Sequence, residues 1–165
     1  MYSRDSNNND AKKFGFNVEK INSTECRFHA LYFIDSYSGS LLLSKRFSNN
    51  SIIYNEDLIS NFLVALNLFI KEINSNNKEE IQEINFQGIR ILYERKGRLI
   101  GIAITKKTHL QIEREILREI VNDFYNKFQF YINNFKGLID PAILKYKKQL
   151  EDFELSSLFK FKIRY

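Results

Sequence analysis

The chain predicts a mixed α/β fold of the α+β type, an antiparallel sheet with helices packed against it. Three observations predict it. Residues Ile81 to Thr105, IQEINFQGIRILYERKGRLIGIAIT, read as three short strands folded back on one another. Two stretches far apart in the chain, Phe28 to Asp35 and Leu99 to Thr105, are apolar on both faces. That is the pattern of central strands covered on both sides. Two long segments, Glu56 to Ile73 and Thr108 to Phe135, instead repeat their apolar residues at the helical period of 3.6.

In chain order, residues Met1 to Asp10 are polar and Asn-rich and are expected to fray. Phe14, Phe16, Val18 and Ile21 give a weak signal compatible with either a strand or a helix, so 1–26 form a weakly structured leading segment. Arg27 to Asp35 reads as a central strand, with Phe28, Ala30, Tyr32 and Ile34 on one side and Leu31 and Phe33 on the other. Ser36 to Gly39 is a turn with Gly39 as its positive-φ residue, and Ser40 to Phe47 returns as a strand whose polar second half suits a sheet edge.

Asn55 is an N-cap for the helix Glu56 to Ile73, with Tyr54 and Ile59 at the positions of a hydrophobic staple. Its sheet-facing stripe is expected to be Leu58, Ile59, Phe62, Leu63, Leu66, Phe69, Ile70 and Ile73. The meander follows, with breaks at Gln87-Gly88 and Arg95-Lys96-Gly97, where glycine supplies the positive φ of a tight hairpin. Thr108 and Gln111 have capping-box spacing for the next helix. Its stripe runs from Ile112 to Phe135 through Phe124, Phe128, Tyr131 and Ile132, on the order of 40 Å and longer than most helices of globular proteins. Gly137 ends it, and Asp140-Pro141 opens a third helix to about Phe153. The tail LSSLFKFKIRY (154–165 with Glu154) is amphipathic, basic and aromatic, compatible with more helix, a strand or a partner-binding segment.

At 165 residues and 19.7 kDa the chain fits one domain, here 27–153, large enough for a proper core. No apolar run approaches the roughly 20 residues needed to span a bilayer, and the polar start does not read as a secretory signal. The single cysteine, Cys26, fits a reducing compartment, so a cytoplasmic protein is expected. A net charge of +5 is spread along the chain and interleaved with acids, as in IEREILREI, which favours solvated faces over a nucleic-acid footprint.

No reaction chemistry is legible. His29 and His109 have no partners at metal-ligand spacing, and a Cys26–His29 pair lacks a diagnostic arrangement. Neither glycine-rich phosphate loop is present, and Glu79, Glu80 and Glu83 read as a solvated cluster. No metal, cofactor or enzymatic activity is expected.

The stretch LYFIDSYSGSLLLSKRF, the helix EDLISNFLVALNLFIKEI, the meander and the long terminal helix together resemble the longin-like family. That group holds longin domains, adaptor small subunits, sybindin-type tethering subunits and roadblock proteins. The resemblance covers about Phe28 to Phe153 and rests on element order, on the Asp-turn-Gly-apolar hairpin at Asp35 to Leu43, and on the helix entry Asp57-Leu58-Ile59-Ser60. It implies a five-stranded antiparallel sheet in the order 2-1-5-4-3, with one helix on one face and two on the other. It also implies a non-enzymatic protein–protein interaction scaffold, acting in small-GTPase regulation or membrane-trafficking-like assemblies. Such domains pair as homo- or heterodimers with another longin- or roadblock-like subunit through the first helix and third strand. Here those positions are Asn61, Val64, Ala65, Leu68, Glu72, Ile81, Ile84 and Phe86. The alternatives are a ligand-sensing domain of profilin or PAS-like architecture, and a peripheral membrane adaptor using Lys160, Lys162 and Arg164.

Overall fold

The computed structural model describes residues 28–47, 55–73, 80–107 and 109–150. β1 (Phe28–Asp35) and β2 (Leu41–Arg46) form a hairpin, followed by α1 (Glu56–Ile73). β3 (Glu83–Asn85), β4 (Arg90–Lys96) and β5 (Leu99–Thr105) form the meander, and α2 (Leu110–Asn133) and α3 (141–150) complete the described chain. The five strands make one antiparallel sheet in the order β2-β1-β5-β4-β3. β1 and β5 lie side by side at its centre, in register from Ala30↔Ile104 to Asp35↔Leu99, with a shift of register before Ala30. Both are buried on two faces, which is why neither shows alternation in sequence.

One face carries Tyr32, Ile34, Ile91, Ile100, Ile102 and Ile104 and is covered by α1 through Leu63, Ile59 and Val64. The other carries Leu31, Phe33, Leu92, Leu99 and Ala103 and is covered by α2 and α3. Phe33 stacks on Phe124 of α2 at 4.2 Å between centroids, and Tyr146 of α3 meets both edge-on. Gly101 sits under α2, where an added Cβ would fall well inside 3.0 Å of Val121 Cγ2. The helix therefore rides directly on bare strand backbone.

Several expectations are corrected. Phe28 does not share a face with Ala30; a β-bulge between them turns it to the α2 side. β3 has three residues, Glu83–Asn85, shorter than Ile81 to Phe86, and single backbone hydrogen bonds, from the Tyr93 N–H to the Gln82 carbonyl and from the Phe86 N–H to the Ile89 carbonyl, flank it at 3.0 Å. Gly39 (φ 73°) and Gly97 (φ 56°) hold the two tight turns, whereas Gly88 does not enter the left-handed region. α2 has 24 residues and begins after an extended His109 whose side chain makes no cap hydrogen bond. In place of a capping box, the Glu113 carboxylate accepts the His109 N–H at 3.1 Å. Thr108, Tyr54 and residues 151–165 lie outside the described residues. Tyr131, expected in the buried stripe, is exposed.

Two buried carboxylates fasten the ends of α2. At one end Glu113 accepts from Arg90 Nη1 at 3.0 Å and from Thr105 Oγ1 at 2.9 Å. At the other, Asp35 accepts from Arg98 Nε, from Arg98 Nη2 at 3.0 Å, and from the Ser38 N–H and hydroxyl at 2.8 and 2.6 Å. Arg98 also donates to the carbonyls of Asn133 and Phe135, both at 3.3 Å, so one guanidinium joins the β1–β2 turn to the exit of α2. Burial alone would raise the Asp35 carboxyl; the hydrogen bonds from Arg98 and Ser38 outweigh it and hold the group below its ordinary range.

Candidate interaction surface

α1 starts where expected, with the Leu58 N–H donating to Asn55 Oδ1 at 3.1 Å. Its phase on the sheet differs from the expectation. Leu63 is fully buried and Ile59, Leu66 and Ile70 are half-buried, a seam at i, i+4, i+7 and i+11. Leu58, Phe62, Phe69 and Ile73, assigned by sequence to the same stripe, are instead 55–68% exposed. With Ala65 they form a second apolar seam at i, i+4, i+7, i+11 and i+15 along the outer side of the helix. This spacing is the one an amphipathic helix uses to meet a partner. Ser60, buried at 3%, marks the inward side, its hydroxyl turned back onto the Asp57 carbonyl.

Of the residues predicted on this helix, Asn61, Ala65, Leu68 and Glu72 are exposed on the outer side. Val64 is half-buried and packs against the α1-side core and Gly39; a Cβ on that glycine would stand 2.8 Å from Val64 Cγ1. Ile81 and Ile84 are half-buried in the same apolar layer as Ile59 and Leu63, while Phe86 is exposed at the end of β3. The predicted set therefore divides into a solvent-facing part on α1 and at Phe86, and a supporting part at Val64, Ile81 and Ile84. Sequence reasoning missed Leu58, Phe62, Phe69 and Ile73 as surface residues. The available signal was that a helix apolar nearly all round has two seams, of which one sheet face can cover one.

The β3 edge is short and charged. Asn85 Nδ2 donates to Glu83 at 2.7 Å, Arg114 pairs with Glu83, and Arg90 donates to Asn85 at 3.1 Å. The Asn85 hydrogen bond and the Arg114 pair hold the Glu83 carboxyl below its ordinary range. An open cleft of about 650 Å³ at this edge is lined by Glu80, Glu94, Arg95, Arg114 and Arg118 among others. Each of these arginines meets a carboxylate, Glu80, Glu83 or Glu94, so the cleft offers no surplus charge to a ligand. A second, apolar cleft of about 360 Å³ lies at the α2–α3 connection, between Tyr131, Leu138 and Ile143.

The candidate chemical residues are scattered. His29 is in β1 and His109 at the α2 entrance, and burial followed by the charge of Lys106 lowers the His29 imidazole below its usual value. Cys26, Glu79, Lys160, Lys162 and Arg164 lie outside the described residues. Among the described residues no three His, Cys, Asp or Glu side chains converge to hold a metal, and no helix is long and apolar enough to cross a membrane. Burial pushes the Tyr93 hydroxyl up to about 12, and beneath α1 it has no hydrogen-bond partner among the described residues.

What this geometry offers is a rigid sheet with one helix presenting apolar residues on two sides, and no assembled reactive group among the described residues. No protein-family model matches the chain, and no curated protein matches it significantly.

Proposed function

We propose that this protein is a non-enzymatic interaction scaffold of the longin type, which pairs with a second longin- or roadblock-like subunit through the outer seam of α1 and the β3 edge. The observation that carries this reading is the exposed row Leu58, Phe62, Phe69 and Ile73, joined by Leu68. Side chains of this kind expose roughly 100 Å² each at such accessibilities, on the order of 500 Å² from one helix. That is near the upper limit for the largest apolar patch of a typical monomer. It also approaches the roughly 800 Å² per partner of a standard interface.

Pairing would place two α1 helices, or α1 and a partner's edge strand, across a shared apolar layer. A paired platform of this kind is suited to small-GTPase regulation or to a trafficking-like assembly, the role the longin resemblance implies. Sedimentation equilibrium at micromolar concentration tests the pairing. The expected result is a species of twice the 19.7 kDa chain mass, or a one-to-one complex with a longin-like subunit co-purified from the native cell. Phe62→Asp with Phe69→Asp should abolish either. A chain that stays monomeric, and whose co-purifying proteins are unaffected by the double substitution, refutes the reading.

A further inference from the structure

α2 has 24 residues, about 36 Å, and the strands beneath it have at most eight, about 26 Å. Its last turns therefore project past the sheet, at the end where Arg98 grips the Asn133 and Phe135 carbonyls. There the chain turns and returns as α3, whose Ile143, Tyr146 and Leu150 face the core. The outside of this elbow is unusually apolar. Leu138, at the turn, is 91% exposed, Phe130 is 72% exposed, and Leu144 is half exposed on the outward side of α3.

The same elbow holds much of the chain's excess positive charge. Residues 124–150 contain five lysines against one aspartate, and residues 151–165 contain three acids and three bases, adding no net charge. Asp140 is engaged as the α3 cap, its Oδ1 accepting the Ala142 N–H at 2.8 Å. Lys127 is occupied by Asp123 and Gln149. Lys136, Lys145 and Lys148 are exposed and meet no carboxylate among the described residues. Among the residues whose side chains are described, the outer side of α1 carries Asp57, Asn61 and Glu72.

Exposed apolar side chains at the tip of an elbow, accompanied by exposed lysines that meet no carboxylate among the described residues, match the boundary of an anionic bilayer. Its acyl region accepts the tip, and its headgroups accept the charge. We propose that the α2–α3 elbow is a peripheral membrane-contact surface, inserting Leu138, Phe130 and Leu144 while Lys136, Lys145 and Lys148 meet anionic headgroups. This surface lies on the side of the sheet opposite α1, so membrane contact and pairing through α1 are compatible, and each can fail without the other.

The test is flotation of the full chain with vesicles of phosphatidylcholine alone and of phosphatidylcholine with phosphatidylserine. Binding is expected to the anionic vesicles alone and to fall with added salt. Each lysine near such a surface contributes about fivefold in partitioning, so Lys136→Gln, Lys145→Gln and Lys148→Gln together should reduce it on the order of a hundredfold. Leu138→Asp should reduce it with the charges intact. All four positions are solvent-exposed, so circular dichroism should show unchanged folding. Absence of binding, equal binding to both vesicle types, or elbow variants that bind like the unmodified chain would each overturn the proposal. So would Lys160→Gln with Lys162→Gln and Arg164→Gln abolishing binding while the elbow variants retain it.

Discussion

Gly101→Ala should destabilise this protein, although a glycine in a strand interior is ordinarily a weak point. Replacing such a glycine with alanine gains about 0.5–1 kcal/mol, because the unfolded chain loses freedom. Gly101 lies outside the left-handed region, so its backbone tolerates alanine. The obstacle is Val121. A Cβ at position 101 would sit far inside contact distance of Val121 Cγ2, and Val121 is 1% exposed between strand and helix. A β-branched residue in a helix has one strongly preferred χ1, so the methyl cannot swing aside. α2 must lift instead, loosening Leu117, Ile120 and Phe124 along the same layer. Overpacking of this kind costs about 1–3 kcal/mol. A shift near 1 Å forfeits a quarter to a half of the dispersion energy of each contact it opens. The cost exceeds the gain, and the net loss is about 1–2 kcal/mol.

The decisive form of the experiment is a double-mutant cycle. Val121→Ala alone removes two buried methyl groups and should cost about 2 kcal/mol. In the double variant the alanine at 101 occupies space that Val121 has vacated. The two losses should not add, and a coupling of about 2 kcal/mol in favour of the pair is expected. Urea unfolding followed by circular dichroism, with m-values compared, measures all four corners. Additivity within about 0.5 kcal/mol, or a stabilising Gly101→Ala, would show that α2 does not rest on Gly101.

Three further perturbations separate the parts of the molecule. Asp35→Asn should lower stability near neutral pH. Because the folded-state value of Asp35 lies below its unfolded one, its contribution is present above about pH 4 and is lost as pH falls through the folded value. The stability curves of wild type and variant should converge in acid; a gap that widens there contradicts the Arg98–Asp35 assignment. Tyr93→Phe removes a buried hydroxyl without a partner and should leave stability unchanged or raise it by up to about 1 kcal/mol, read by thermal unfolding, whereas a clear loss would reveal a hidden partner. Phe62→Ala with Phe69→Ala should change the unfolding free energy of the monomer by less than about 0.5 kcal/mol each while weakening self-association. A loss of several kcal/mol in the monomer would mean that a segment of the chain outside the described residues covers the seam.

The parts of this fold that were legible in sequence are those fixed by burial on two sides. Phe28 to Asp35 and Leu99 to Thr105 lack alternation because each is covered twice, and this located the centre of the sheet. Gly39 and Gly97 were legible for a different reason, since tight turns demanded a positive φ at those positions. A bulge leaves no such mark. The flip of Phe28 depends on one extra residue opposite β5, which an all-apolar strand cannot reveal because either face would accept phenylalanine. The fastening of α2 was hidden as well. Arg90 and Glu113, and Asp35 and Arg98, lie 23 and 63 positions apart, and charges that distant become partners only once the sheet has formed.

The misread phase of α1 has the same origin as the proposed function. A helix with one apolar stripe reports unambiguously which side faces the core, because the other side must be polar. α1 has two stripes offset by about a quarter to a third of a turn, and either satisfies the period of 3.6. The structure selects Ile59, Leu63, Leu66 and Ile70, leaving Leu58, Phe62, Phe69 and Ile73 in solvent. If the outer stripe had no partner, polar substitutions there would cost the folded monomer nothing and improve its solubility. Five large apolar residues retained along one outer helix face are therefore better explained by a covered surface than by the needs of this fold. The inner stripe already closes the α1-side core through Leu63, so the outer one has no remaining role within the described chain. Replacing Leu58, Phe62, Phe69 and Ile73 with Glu, Lys or Gln should then yield a well-folded, strictly monomeric protein. Its failure to fold would place the covering element within the chain itself and exclude an interface there.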